Sequence, residues 1–134
     1  MLTPGTKIAL RYRIEKLIGK GGMATVYNAH HSSLRRNVAL KLLAPRFSHH
    51  PTMGIRFERE AHNGARLNHP GCVRIYDYGS TVDGERFLAM ELIEGPTLRR
   101  RITEAGRMGT REVVAIVRQI LGALAHAHKN GVLH

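Results

Sequence analysis

The sequence predicts an α+β fold with elements in the order β-β-β-α-β-β-α-α, and three observations carry it. Three extended apolar runs come first, and a glycine-rich turn joins the first two. Two further runs flank Asp83-Gly84, a tight-turn pair that joins antiparallel neighbours. Two stretches, 52–67 and 110–130, instead repeat apolar residues at three- and four-residue steps, as a helix with one buried face requires.

In chain order, Tyr12 to Ile18 and Thr25 to Ala29 read as strands on either side of the glycine turn, and Asn37 to Leu43 as a third. Pro45 ends the third strand, and a polar segment with His49, His50 and Pro51 follows. The helix of Thr52 to Leu67 stops at His69-Pro70-Gly71. Val73 to Thr81 and Glu85 to Glu91 form the predicted hairpin. Gly95-Pro96 then breaks the chain ahead of a short helix over Thr97 to Ala105. In the last helix Thr110 is placed to cap the start, with Glu112 in the first turn. Val113, Ile116, Val117, Ile120, Leu121 and Leu124 share one face, and Asn130-Gly131 marks the stop. There is no internal repeat and no low-complexity linker.

Composition sets limits. The 134 residues are 43% hydrophobic, which is enough for a core, and 5% aromatic with no Trp, so that core is aliphatic. The net charge of +11 is uneven: residues 1–67 carry +9 and residues 68–134 carry +2. A basic half can attract nucleic acid, acidic lipid or a polyphosphate ligand. No basic run alternates with aromatics, so no nucleic acid partner is expected. Arg99-Arg100-Arg101 reads as a solvated helix face. The single cysteine, Cys72, excludes an internal disulfide and reads as a buried structural thiol in a reducing compartment. No run approaches membrane-spanning length. A cytoplasmic location is expected, with room for an anchor downstream of His134. His126 and His128 lie two apart on a helix and diverge, while His30-His31 and His49-His50 lack Cys or acidic company, so no metal site is expected.

The chemistry concentrates at Ile18-Gly19-Lys20-Gly21-Gly22-Met23-Ala24-Thr25-Val26 and at Val38-Ala39-Leu40-Lys41. Glycines let backbone approach a ligand because no Cβ intervenes. A dinucleotide-binding turn would run straight into a helix, with an acid about 20 residues on. Here a strand follows instead. A Gly-Lys-Ser/Thr triplet is also missing, which excludes a Walker loop. A hairpin folded over phosphates fits better. Lys41 lies in a strand that is apolar on both faces, where an unpaired ammonium costs several kcal/mol, roughly, to desolvate. Met53, Phe57, Glu60, Gly64 and Leu67 fall on one stripe of the first helix, with Arg56, Arg59 and Arg66 elsewhere. A glutamate in an otherwise apolar or small stripe needs a cation, and Glu60 facing Lys41 satisfies both.

From about Tyr12 to His134 the chain resembles the N-terminal half of a protein kinase domain, most of all the bacterial Ser/Thr kinases of eukaryotic type. The resemblance rests on Ile-Gly-x-Gly-x-x-Ala-x-Val, Val-Ala-Leu-Lys, Arg-Glu-Ala, Asn-His-Pro and Met-Glu-Leu-Ile-Glu-Gly, in the family's order. It implies a five-stranded antiparallel sheet plus one helix and a hinge over about residues 12–93. The first two helices of the helical lobe would follow over about 94–134, within an incomplete domain spanning 1–134.

It also implies ATP as ligand, with Gly19, Lys20, Gly21, Gly22, Met23 and Ala24 over the phosphates and Lys41 on the α/β-phosphates, oriented by Glu60. Ile18, Val26 and Ala39 would sandwich the adenine, Met90 would stand at the back of the pocket, and Glu91 and Ile93 would offer backbone groups to the adenine edge.

The chain departs from the family at Ala24, where a third loop glycine is usual, and at Gly64, which replaces a larger apolar residue usual in the column of side chains that stiffens the active kinase. His134 matches the start of His-Arg-Asp, so the catalytic Asp and the Mg²⁺ ligands are absent from these residues. The expected whole is a serine/threonine kinase that phosphorylates protein substrates with ATP and Mg²⁺. The polypeptide itself is expected to be inactive. The alternatives are a natural non-catalytic truncation that binds ATP or a partner, and a basic nucleic-acid-binding module. The apolar face of the last helix is expected to be exposed and to favour self-association.

Overall fold

The computed structural model of the chain describes residues 2–47 and 50–133. His49 and His134, both singled out in the sequence, lie outside the described residues. The elements are β1 (Lys7–Ile8), β2 (Tyr12–Lys20), β3 (Ala24–His31), β4 (Arg36–Leu43), α1 (Pro51–Ala65), β5 (Ile75–Ser80), β6 (Arg86–Glu91), α2 (Leu98–Ala105) and α3 (Thr110–Lys129). The strands form one antiparallel sheet in the order β1-β2-β3-β4-β6-β5.

The sheet has six strands rather than the expected five. The addition is β1, a two-residue edge strand pairing Lys7 with Arg13 and Ile8 with Tyr12. Two residues carry no readable periodicity. The turn after them places Ala9 and Leu10 at φ 47° and 58°, so no glycine advertises it.

Alternation along the strands sorts side chains onto two faces. One holds Tyr12, Ile14, Tyr27, Ala29, Val38, Leu40, Phe87 and Ala89, closed over by Ile8 and by partly buried Leu2 and Ala9. The other carries Ala24, Leu43 and Leu88, on which Phe57 and Ala61 of α1 pack. Strand β4 is buried on both faces, as its sequence suggested: Leu40 is 0% exposed and Leu43 is 1% exposed.

The start of β2 also reaches β5, the far edge of the sheet. Tyr12 on β2 donates its hydroxyl to Asp77 Oδ2 on β5 at 2.6 Å, and Arg11 reaches the same oxygen at 2.7 Å. Burial first, and then the hydrogen bond and charge of Asp77, hold the Tyr12 hydroxyl above the usual tyrosine range.

Element boundaries shift at the caps. Helix α1 ends at Ala65, because Arg66 and Leu67 turn their N–H groups to the carbonyls of Asn63 and Gly64. Its buried residues are Gly54, Phe57 and Ala61, so the stripe read from sequence is rotated slightly, with Glu60 beside the buried line. Thr110 does not cap α3: Gly109 occupies that position without a side-chain bond, and Thr110 is already helical. Asn130 ends the helix and Gly131 follows at φ 71°, as expected. Cys72 is half-buried rather than buried, because it lies in a turn ahead of β5 with its N–H on the His69 carbonyl at 2.9 Å.

Val113, Val117, Ile120 and Leu121 on α3 are 41–59% exposed, while Ile116 and Leu124 of the same face are half-buried; Leu98 and Ile102 on α2 are exposed as well. Arg99, Arg100 and Arg101 are all exposed, with Arg100 paired to Glu104 and Arg101 to Glu112. Among the described residues no helix is long and apolar enough to cross a membrane.

Candidate functional site

The site is built on the α1-side face of the sheet. Register places Gly19 opposite Val26, Val26 opposite Lys41, Lys41 opposite Leu88, and Ala39 opposite Met90. Because directly opposed residues share a face, Val26, Ala39, Lys41, Leu88 and Met90 form one patch running across three strands, β3, β4 and β6. The glycine turn lies at the open end of this patch. Ile18 falls in a register shift between Leu17 and Gly19 and is 45% exposed, standing out from the edge of the patch.

The turn is tight and open on one side. The Gly21 N–H donates to the Ala24 carbonyl at 2.9 Å, closing it. A Cβ placed on Gly22 would meet nothing within 4 Å, and one on Gly21 would meet only the Ala24 carbonyl, at 3.4 Å. None of Gly19, Gly21 and Gly22 has positive φ. Their contribution here is therefore clearance above the backbone, not an unusual conformation. Ala24 is 6% exposed and packs with Leu43 and Phe57, so a side chain in place of the family's glycine is used by the core.

Lys41 and Glu60 meet as the sequence required. The Lys41 ammonium donates to both carboxylate oxygens of Glu60, at 2.6 and 2.8 Å. The lysine side chain is 19% exposed and that of Glu60 45%, so the ion pair caps the apolar patch at its edge and stays within reach of solvent. The Phe57 ring centroid lies 5.8 Å from the ammonium. One lysine proton donor remains for an anion above the strand. Glu60 takes this position although Gly64 follows one turn later. The space that a side chain at Gly64 would fill is taken by Ile75, whose Cγ1 lies 2.7 Å from where a Cβ would stand.

At the other end of the patch, β6 leads into an irregular segment. Met90 is half-buried beside Ala39. The Glu91 N–H is bonded to the Arg74 carbonyl at 2.8 Å, and its carboxylate accepts from the Arg74 N–H at 3.3 Å. The side chain of Ile93 is 61% exposed, and the backbone here can offer polar groups to a flat heterocycle. Gly19, Val26, Ala39, Lys41 and Met90 thus share one surface with Glu60 at its edge, whereas register turns Lys20, opposite Thr25, and Glu91, opposite Val38, toward the other face of the sheet.

Sequence reasoning missed two arginines near this surface. Arg46, just after β4, donates to the Gly22 carbonyl at the tip of the turn, while the Ala44 N–H holds the Met23 carbonyl at 2.9 Å. Arg86 on β6 lies among Tyr78, Glu58 and the Gly54 carbonyl of α1. Its signal was present in the alternation: Arg86, Leu88 and Met90 share a face, and a cation heads an otherwise apolar row.

Residues 12–134 match the family model described as protein kinase domain. The chain is 41% identical over 130 residues to the serine/threonine-protein kinase pkn3 of Myxococcus xanthus, covering 97% of this chain and 24% of that protein. Against PrkC of Bacillus subtilis it is 42% identical over 130 residues, covering 97% and 20%. Against PknD of Mycobacterium tuberculosis it is 42% identical over 123 residues, covering 92% and 18%. The chain thus spans about a fifth of the length of these curated relatives. The crystal structure of the M. tuberculosis PknI kinase domain superposes with a TM-score of 0.84 at 32% identity, over all of this chain and 53% of that one.

Proposed function

The chain belongs to the protein kinase family, and from that premise we propose that it forms the ATP-binding part of a serine/threonine protein kinase. The whole protein would transfer the γ-phosphate of ATP to serine or threonine hydroxyls of protein substrates. The observation that carries this reading is the two-pronged Lys41–Glu60 contact, at 2.6 and 2.8 Å, directly across β4 and β3 from the open glycine turn.

The residues present fit the nucleotide. The clearance above Gly21 and Gly22 admits a phosphate chain close to backbone. Lys41, fixed by Glu60, donates to α- and β-phosphate oxygens as a preorganised cation, so little reorganisation is needed on binding. Val26 and Ala39 supply apolar contact to the adenine, with Ile18 closing from the strand edge and Met90 at the back. The Glu91 carbonyl and the Ile93 N–H read the adenine edge. In this reading residues 12–93 are the nucleotide lobe and hinge, and residues 94–134 open the helical lobe. A cytoplasmic site, where ATP is supplied, goes with it.

Mg²⁺ is a different matter. Among the described residues no group of three or more His, Cys, Asp and Glu could hold a metal. The ion that accompanies ATP would be carried by the phosphates and by residues other than these. The carboxylate nearest the phosphate position, Glu60, is engaged by Lys41 and is not free to accept a substrate proton. The 134-residue polypeptide is therefore expected to bind ATP without transferring phosphate. Titration calorimetry with ATP, paired with a labelled-phosphate transfer assay, tests both halves. The expected result is saturable binding, lost in Lys41→Met, with no labelled product. Binding unchanged by Lys41→Met, or transfer that this substitution abolishes, would contradict the respective half.

A further inference from the structure

Where β4, β5 and β6 carry α1, two cations stand in the face of the sheet beneath the helix. Lys41 is one, and the site accounts for it. Arg86 is the other, and nucleotide binding as described leaves it unused. It stands at the start of β6, two residues before Leu88 on the same face, with its side chain 31% exposed.

Its guanidinium is placed against the first half of α1. One nitrogen donates to the Gly54 carbonyl at 3.2 Å and to the Tyr78 hydroxyl on β5 at 3.3 Å, and it lies 3.5 Å from Glu58 Oε2. The helix is shaped to receive it. Gly54 is buried, and a Cβ there would stand 2.9 Å from Arg86 Cζ. A glycine in a helix is otherwise unfavourable, so its presence under this guanidinium marks a fitted contact. The bond goes to helix backbone, which fixes the position of α1 itself and not just one side chain.

Glu58 and Glu60 lie on the same helix as Gly54, within two turns. Arg86 therefore grips α1 upstream of the residue that must meet Lys41. Phe57 and Ala61 give the helix an apolar seat, but burial is non-directional and permits sliding and rotation. Directional contacts set the rotation, and Arg86 provides one at a point separate from the ion pair.

We propose that Arg86 is a positioning residue for the nucleotide site: by clamping the Gly54 turn of α1 to β6 and β5, it holds Glu60 toward Lys41. This rests on the ATP reading given above.

The test is a titration of the 134-residue protein with a fluorescent ATP analogue, alongside thermal unfolding. Arg86→Ala, Gly54→Ala and Glu60→Gln are compared, with Arg86→Ala also made in the Glu60→Gln background. Arg86→Ala is expected to weaken binding by about three- to tenfold when Glu60 is present, and to add no further loss in the Glu60→Gln background. Gly54→Ala pushes the guanidinium aside while favouring the helix. It should weaken binding to a similar extent with the melting temperature unchanged or raised, a separation that a purely structural role for Arg86 does not produce. Gly54→Ala also keeps the test open if Arg86→Ala folds poorly. The proposal is overturned if the wild type binds and both substitutions leave affinity unaltered, or if Arg86→Ala costs the same factor with and without Glu60. Failure of the wild type to bind would instead overturn the ATP reading, and this inference with it.

Discussion

Gly64→Ala is the substitution for which the structure opposes local propensity most directly. Near the end of a helix, replacing glycine by alanine gains up to about 1 kcal/mol through reduced chain entropy and better propensity. At Gly64, however, the new methyl would stand 2.7 Å from Ile75 Cγ1 and 3.2 Å from its Cδ1. Carbon atoms pack best at about 3.5–4.0 Å, so the nearer contact is short by roughly 0.8 Å or more. Cγ1 sits next to the branch point of a side chain stiff at χ1, and it cannot swing away without moving the β5 backbone or leaving its rotamer. Such overpacking costs about 1–3 kcal/mol. The clash outweighs the propensity gain, and a net loss of about 1 kcal/mol is expected, or about 3–5 °C in Tm for a domain of this size.

Ile75→Ala removes the obstructing atoms. In that background Gly64→Ala should stabilise, because only the propensity gain remains. The two substitutions are therefore coupled by about 2 kcal/mol, with a change of sign. Urea unfolding of the four proteins measures this. Gly64→Ala stabilising in both backgrounds would show that Ile75 does not fill the space beside Gly64.

Two further outcomes follow from other parts of the molecule. Tyr12→Phe removes the hydrogen bond that closes the sheet onto Asp77 and should cost about 1–2 kcal/mol at neutral pH. Because the folded state raises the Tyr12 pKa, the unfolded chain releases its proton first. Stability should then decline as pH rises above about 10, and Tyr12→Phe should flatten that alkaline limb in unfolding curves. Val117→Glu with Leu121→Glu places charge on the exposed face of α3 and should reduce both hydrophobic-dye binding and self-association in sedimentation velocity. Dye binding equal to that of the wild type would show that the face is already covered.

How much of this was legible in the sequence depends on the range of the interaction. The glycine turn, the β5–β6 hairpin at Asp83-Gly84 and the face of α3 are written in local patterns, and the structure returns them within a few residues. The Lys41–Glu60 pair is non-local, yet it was readable because each residue is anomalous in its own apolar setting and each resolves the other.

What stayed hidden is contact geometry between distant strands. The meeting of Tyr12 and Asp77 joins β2 to β5 across the three strands that stand between them in the sheet, a relation no local pattern encodes. The filling of Gly64 by Ile75 and of Gly54 by Arg86 depends on how α1 sits on the sheet, and a glycine alone does not say what approaches it. The β1 strand is held by its pairing with β2 and by the burial of Ile8 in the core, neither of which a two-residue pattern announces.

The proposed nucleotide site puts Lys41, held by Glu60, at the phosphates of a bound ATP. An acyl-phosphate derivative of ATP, which transfers its acyl group to whichever lysine lies beside the phosphates, tests this most directly when the labelled residue is located by mass spectrometry. Label is expected to concentrate on Lys41, to be suppressed by excess ATP and to diminish in Glu60→Gln. Label spread over surface lysines such as Lys7 and Lys129, and indifferent to ATP, would contradict it.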